Sequence, residues 1–535
     1  MTSILQQITS VLSDNKAYLP TNYKLPESIS IGSAVTIVCA TTLGLLTLKY
    51  HDRALFSEKP KGAPFHGGIP LFGSLFEQIK FKDTIHDGTL YLMEKYDTMT
   101  FGMTILGLPA MVITNDPDNV EYILKTNFSN YIKGRESYEM LEDLFGHGIF
   151  SADGEKWRWQ RKSASLIFNV VNFRDHFSQI FIKEFAVMTK NIFDKKALNG
   201  KPIDFHDVIY KYTLDSFVDI GFGKQINSLL CKEKVPFAQS FDICQRNCSD
   251  RFIDPFTDLY DSLKPITHPG TMRIKDHIKV IDDFAYTLIR ERREQITQGG
   301  EYKDLLSRFM NAKNEHDELL NDKELRDTIL NFIIAGRDTT AQALSWAFYL
   351  LMNHPRVEEK LLDEINQYFP NDHKELNAPE YYDLIKKLTY AHAVFYETLR
   401  LYPSVPSNGK IALTDDILPD GTHVKKGELV QWVPYAMGRS TKIWGADAKD
   451  FIPERWISKD GSLKREPAGR WPAFHAGPRI CPGQNLATLE ALIAMTLLLK
   501  RYKFKLVPGQ NIMYETSLTC PMKEGMNVTV EYRQK

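Results

Sequence analysis

Apolar and polar positions along this chain fall into three rhythms. From Ile29 to Leu48 there is almost no polar punctuation: ISIGSAVTIVCATTLGLLTL carries no charge over twenty residues. Twenty helical residues at about 1.5 Å each rise about 30 Å, the thickness of a bilayer's hydrocarbon core, so the run predicts one membrane-spanning helix. Further on, apolar residues recur at helical spacing, which predicts helices over 276–298, 322–352, 356–368, 388–402 and 484–501. Short β-rich runs stand at 428–434, 502–507 and 527–533, and 97–114 reads as a hairpin turning near Gly107-Leu108-Pro109. Asp116-Pro117 then offers a cap followed by proline, a good helix start. The segment 59–74, KPKGAPFHGGIPLFGS, has too many prolines and glycines for a helix and reads as a hinge. The expected architecture is mainly α with a small β portion. It divides into a short N-terminus (1–28), an anchor (29–48), a basic and Pro/Gly hinge (49–74) and one large body (75–535).

Charge orients the anchor. Lys24 and Glu27 precede it, whereas Lys49, Arg53, Lys59 and Lys61 follow it, which predicts a lumenal residue 1–28 segment and a cytosolic body. A cleaved signal peptide fits less well, because the basic flank is on the wrong side. Over the whole chain 66 Lys+Arg balance 67 Asp+Glu, so nothing points to nucleic acid. The six cysteines show no paired spacing, which argues for a reducing compartment and against a disulfide scaffold or zinc ribbon. Cys244 and Cys248, four apart, read as two ordinary buried thiols.

Four local patterns carry chemistry. The loop Phe474-His475-Ala476-Gly477-Pro478-Arg479-Ile480-Cys481-Pro482-Gly483 places one cysteine just ahead of a long apolar helix, where a thiolate can ligate a metal centre. In 322–352, Ala335-Gly336 interrupts bulky residues, which suggests a close approach or a local bulge. Asp338-Thr339-Thr340 follows and can relay protons to a ligand, although a back-bonding cluster in a kinked helix would look the same. Glu397 and Arg400 share a helix face with apolar flanks, so they predict a buried pair that needs a further partner, for which Arg455 is the candidate. Trp157 and Arg161 share another face and suit an acidic group; a packed aromatic on a basic helix is the plainer alternative.

Together and in this order the four patterns resemble the cytochrome P-450 family of haem-thiolate monooxygenases. F-x-x-G-x-R-x-C-x-G is met by Phe474, Gly477, Arg479, Cys481 and Gly483; A/G-G-x-D/E-T-T/S by Ala335, Gly336, Asp338, Thr339 and Thr340; E-x-x-R by Glu397 and Arg400; and W-x-x-x-R by Trp157 and Arg161. The resemblance implies the cytochrome P-450 fold behind the transmembrane helix, with Cys481 as axial ligand of haem iron, pushing electron density to favour O–O cleavage. It implies that Phe474 shields the sulfur, that Gly483 lies beside it, and that Trp157, Arg161, Arg479 and Lys410 hold the haem propionates. Asp338 and Thr339 would deliver protons to bound O2, while Glu397, Arg400 and Arg455 would brace the cysteine loop. The cofactor would be haem b, not covalently attached, since Ala335 stands where related animal hydroxylases carry an esterifying glutamate. Electrons would come from NADPH through a membrane-bound cytochrome P-450 reductase at the endoplasmic reticulum.

The segments 404–430 and 433–456 are similar to fungal and plant hydroxylases of fatty acids and alkanes, so ω-hydroxylation of a long apolar substrate is the expected reaction, with a pocket drawn from 131–150, 240–255, 328–340, 404–410 and 516–521. The alternatives are a xenobiotic or terpenoid hydroxylase, a reductase-independent isomerase or dehydratase (against which Asp338-Thr339 argues), and a haem carrier or sensor without turnover.

Overall fold

A computed structural model describes residues 31–165, 172–302, 304–314, 316–369 and 377–533. The chain separates into two units, Met1–His51 and Asp52–Lys535. In the first, helix α1 (Ile31–Lys49) contains an 18-residue stretch of mean hydropathy 1.4, none of it buried. It is long and apolar enough to cross a bilayer. The expected lumenal segment 1–28, with Ile29 and Ser30 of the anchor, lies outside the described residues.

The second unit begins earlier than the sequence suggests. Phe65–His66 (β1) pairs in parallel with Thr100–Met103 (β2), and the Gly68 N–H donates to Asp52 O at 2.8 Å. Prolines and glycines exclude a helix from 59–74, but they do not exclude extended pairing. Pro60 packs where a side chain at Gly102 would have to sit, so residues 52–74 are built into the body and do not form a free hinge.

The expected hairpin joins β2 to Met111–Thr114 (β3) in antiparallel register, with Gly107 at φ +85° in the turn. Asp116 caps the next helix by accepting from the N–H groups of Asp118 and Asn119, at 2.9 and 3.2 Å. Then follow Tyr131–Ile132 (β4), α2 (Gly134–Phe145), α3 (Gly154–Ser165), Ile203–Asp204 (β5), α4 (Phe205–Phe222), α5 (Pro236–Arg251), α6 (Ile274–Thr297), α7 (Asp322–Ile333), α8 (Thr339–Asn353), α9 (Pro355–Tyr368), α10 (Thr389–Leu401), Asn408–Ala412 (β6), Leu429–Trp432 (β7), α11 (Gln484–Arg501), Tyr502–Leu506 (β8) and Asn527–Tyr532 (β9). Among the described residues one sheet runs β1-β2-β3-β7-β6-β4 and a smaller one β8-β9-β5.

The single helix expected over 322–352 is two. A capping box starts α7, Asn321 and Glu324 each accepting from the other's N–H. Ile334–Asp338 then forms a π turn before α8 continues. A Cβ at Gly336 would run into the Phe217 ring of α4, so the glycine lets two central helices close on each other and the π turn takes up the extra residue. Helix α11 is apolar around most of its circumference and buried accordingly, with Leu492, Ile493, Ala494 and Leu498 fully covered. It packs beside α8 and α10, which fixes the loop that precedes it.

Candidate active site

Cys481 sits immediately before α11. Its own N–H donates to Phe474 O at 2.9 Å, closing the loop. The N–H groups of Gly483 and Gln484 point at its sulfur, and a Cβ on Gly483 would lie 3.8 Å from Sγ. Burial pushes the thiol up, while those two N–H groups and the Arg161 guanidinium pull it down. A thiolate is therefore supported by a helix N-terminus and one nearby cation. Gly477, at φ +60°, brings the loop so close to Leu124 O that no side chain fits. Trp471 meets Phe474 edge-on at 5.8 Å and Trp456 at 4.7 Å, linking the loop to the region of Glu397.

The expected triad is assembled there. Arg400 donates to both carboxylate oxygens of Glu397, at 2.8 and 2.7 Å, and both side chains are fully buried. Arg455 lies 3.4 Å from Glu397. The Trp456 indole and the Ile452 N–H also donate to the same carboxylate, both at 2.9 Å. Arg400 spends its remaining donors on the carbonyls of Gly438, Ala448 and Asp450.

A second buried cluster is not balanced. Arg479 pairs with Asp153 at 2.7 Å and lies over the Trp157 ring at 4.5 Å. The register Ile132↔Ile411 of β4 and β6 lays Lys133 across from Lys410. Lys410 is fully buried, its Nζ has no hydrogen-bond partner among the described residues, and it sits 4.3 Å over the Phe128 ring. Burial pulls the Lys410 amine down to about 7, with Lys133 and Arg479 pushing the same way. Burial likewise lowers Lys133 to about 8 and His475 to about 3. Asp153 is shared with the N–H groups of Lys133 and Gly134. Three cations thus face one carboxylate. Lys133 and Asp153 were not singled out in the sequence; no spacing connects either to Lys410 or Arg479.

At the start of α8, Thr339 Oγ1 donates back to Ala335 O of the π turn at 2.7 Å. Asp338 is 1% exposed; its Oδ2 accepts from Gln245 of α5 at 2.6 Å and its Oδ1 lies 3.2 Å from the Arg337 guanidinium. Burial raises the Asp338 carboxyl to about 6, Arg337 opposing and Asp242 adding to the rise. The segments expected to line a pocket converge here. Asn331 donates to Phe145 O at 2.9 Å, Phe145 packs on Phe241 at 6.3 Å, and Ser404 Oγ donates to Thr339 O at 2.7 Å. The Cys520 N–H in turn donates to Ser404 O at 3.1 Å.

A sulfur at a helix start, an acid beside an alcohol at a π turn and a buried cluster with an excess of positive charge fit a haem-thiolate type of site. The family model described as Cytochrome P450 matches residues 63–526, and the chain belongs to that family. It is similar to Cytochrome P450 704B1 of Arabidopsis thaliana (39% identical, covering 87% of this chain and 94% of that protein). It is also similar to Cytochrome P450 monooxygenase cyp1 of Mycosarcoma maydis (32% identical, 91% and 78%). The crystal structure of a cytochrome P450DA heme domain has the same fold, with TM-score 0.75 at 22% identity over 88% of this chain and 98% of that one. The protein is therefore a monooxygenase that works with haem b, O2 and electrons supplied from NAD(P)H by a redox partner. The residues present fit that group: an orphaned buried Lys410 Nζ among like charges asks for an anion, and haem brings two carboxylates.

Proposed function

We propose that Cys481 is the axial thiolate of the haem and that the protein is a membrane-anchored hydroxylase of long apolar chains, with fatty acids or alkanes attacked at or near the chain end. The observation that carries the ligand assignment is the Cys481 sulfur, held under the Gly483 and Gln484 N–H groups at the start of α11. Trp157, Arg161, Arg479, Lys410 and, in addition, Lys133 hold the propionates; Phe474 and Gly483 flank the sulfur. Bound haem supplies the binding and reductive activation of O2.

The protein's own groups handle protons and position. Asp338, whose carboxyl is raised by burial to about 6, passes a proton to Thr339 Oγ1, which turns from Ala335 O toward the oxygen substrate. Glu397, Arg400 and Arg455 keep the cysteine loop in place through the Trp456–Trp471–Phe474 contacts. Buried apolar groups of the converging segments, among them Leu144, Phe145 and Phe241, exclude water and suit a hydrocarbon chain. Helix α1 anchors the body to the endoplasmic reticulum with its catalytic domain in the cytosol, where NADPH–cytochrome P-450 reductase supplies electrons.

The full-length protein reconstituted with that reductase is expected to convert laurate or palmitate to hydroxylated product with NADPH. No oxygenated product from fatty acids, alkanes or sterols would overturn the substrate reading. Cys481→Ser is expected to abolish the carbon monoxide band at the thiolate position and reduce turnover to background; retention of the band refutes the ligand assignment.

A further inference from the structure

Gln342 stands a turn past Thr339 on α8, and its side chain is fully buried. Both ends of its amide are used. Nε2 donates to Thr519 Oγ1 at 2.6 Å and to the Tyr210 hydroxyl of α4 at 2.8 Å, and Oε1 accepts the Cys520 N–H at 2.8 Å. A turn further along α8, Trp346 Nε1 donates to Cys520 O at 2.9 Å. Ser404 closes the grip: its carbonyl accepts the same Cys520 N–H at 3.1 Å, and its hydroxyl donates to Thr339 O at 2.7 Å. A stretch of backbone near the C-terminus is thus strapped to α8 beside the acid–alcohol pair.

The strapped stretch is the tip of a narrow hairpin. Tyr514 bridges Met522 in antiparallel sense, and the Glu515 N–H donates to Pro521 O at 2.8 Å, so Leu518 stands at the apex. Thr516 turns its hydroxyl onto Lys82 O at 2.6 Å. Ser517 and Thr519 line a polar cavity of about 330 Å³, bounded also by Tyr210, Asp242 and Arg337. Leu518, between them, packs against the main apolar core instead. It is also half-buried where Thr516, Ser517, Thr519 and Cys520 are buried. The tip therefore presents one apolar side chain on its inner side, and Gln342 holds the residues that follow it.

We propose that Gln342 is a positioning residue that selects which carbon of a long chain is attacked, by holding the Thr519–Cys520 backbone against α8 so that Leu518 is a fixed stop. The inference rests on the proposed reading of a long-chain hydroxylase and adds what chooses the carbon. Terminal attack is R–CH3 + O2 + NADPH + H⁺ giving R–CH2OH + H2O + NADP⁺. Primary C–H bonds are stronger than the secondary ones beside them, so terminal attack needs a wall that presents the methyl and withholds the methylenes. A tip that can yield lets the chain slide and gives in-chain alcohols. In Gln342→Leu the bulk in α8 is kept, the Thr519 and Tyr210 hydroxyls lose a donor, and the Cys520 N–H is left with Ser404 O.

The test compares the full-length parent with Gln342→Leu and Thr519→Val. One readout is the ratio of terminal to in-chain alcohols formed from laurate with reductase and NADPH. The other needs no turnover: the haem-loaded protein is titrated with n-octylimidazole and with the broader phenylimidazole, and the ratio of the two affinities is read from the shift of the haem band. Gln342→Leu is expected to keep the carbon monoxide band and to lower both ratios about tenfold, the scale of one or two lost buried hydrogen bonds. Thr519→Val, which removes one bond of the three, is expected to lower them about two- to threefold. A lowered Tm with both ratios unchanged means that Gln342 only supports the fold, and overturns the inference. Should Gln342→Leu fail to take up haem, Thr519→Val decides alone. Should the parent not hydroxylate laurate, the long-chain reading falls, and the azole ratio by itself decides whether Gln342 sets the stop; an unchanged ratio there overturns the inference as well.

Discussion

Two buried charge clusters in this body obey opposite rules. Around Glu397 the charges close on themselves. One carboxylate accepts from Arg400 twice, from Trp456 and from the Ile452 N–H, and the guanidinium's other donors end on carbonyls. Around Lys410 they do not close. Lys133, Lys410 and Arg479 share Asp153, and the most buried of the three, Lys410, has no hydrogen-bond partner among the described residues. The first cluster is complete in the polypeptide alone and its work is structural. The second leaves a buried excess of positive charge, which the propionates of the proposed site would balance.

The largest effect that this contrast predicts is on the closed cluster. Arg400→Ala takes the bidentate partner from the buried Glu397 carboxylate, leaving it the more distant Arg455 and two neutral donors, a loss of about 3–5 kcal/mol. The variant is expected to lose folded yield and to show a sharply lowered Tm whether or not haem is supplied. A Tm change that appears only in the haem-loaded protein would mean that the closed cluster, too, serves the cofactor. Lys410→Met should do the reverse. Removing an unpartnered buried cation, pressed by two others, leaves the apoprotein at least as stable as the parent. Haem affinity falls by about 10- to 100-fold, the worth of a charge-assisted pair in a dry site. A destabilised apoprotein with unaltered haem affinity would erase the distinction.

The difference between the clusters also explains what could be read from the sequence. Glu397 and Arg400 sit three apart on one helix, and the cysteine loop lies within ten consecutive residues. There the chemistry dictates residue types at fixed local spacing, so these groups were legible, as were the limits of α11. Lys133 and Asp153 were not, because strand register and a capping contact bring them to Lys410 and Arg479 from distant segments. Gln245 was not legible either, because it reaches Asp338 from α5, 93 residues away along the chain. Gly336 was legible as a break in 322–352, but its cause, the Phe217 ring on α4, was not. Residues 59–74 misled for a related reason: proline and glycine say what a segment cannot form locally, and nothing about the strand it will pair with.

A smaller effect follows from protonation of the open cluster. In the apoprotein the Lys410 amine stands near 7 and Lys133 near 8, both held below the ordinary lysine range by burial. Propionate carboxylates held beside them, as proposed, would favour the charged forms, so haem binding would take up protons whenever the lysines are neutral beforehand. Below about pH 7 both are already charged and affinity is flat. As pH rises through 7 and 8, affinity falls, by up to about tenfold per pH unit for each neutral lysine. Haem titrations of apoprotein from pH 6 to 9 measure this directly, and Lys410→Met should remove the lower of the two inflections. A pH-independent affinity in the parent would mean that the cluster does not face the propionates.

The smallest effect belongs to a residue outside both clusters. Among the described residues the Thr339 side chain bonds only the preceding turn, Oγ1 to Ala335 O at 2.7 Å, and its carbonyl receives Ser404 Oγ at 2.7 Å whatever the side chain is. Thr339→Ala therefore disturbs neither the closed cluster's fold nor the open cluster's hold on haem, so Tm and haem affinity stay near the parent values. What it would remove, on the proposed relay, is the hydroxyl that passes the Asp338 proton to the oxygen substrate. NADPH is still consumed, but several-fold more of it ends as hydrogen peroxide, a partial loss of general acid catalysis, and Thr339→Ser recovers most of the coupling because a hydroxyl is restored in the same turn. If Thr339→Ala stays fully coupled, protons reach oxygen without it and the relay is not on this helix. If it lowers haem affinity as Lys410→Met does, the π turn belongs with the open cluster, and the separation of anion binding from proton delivery does not hold.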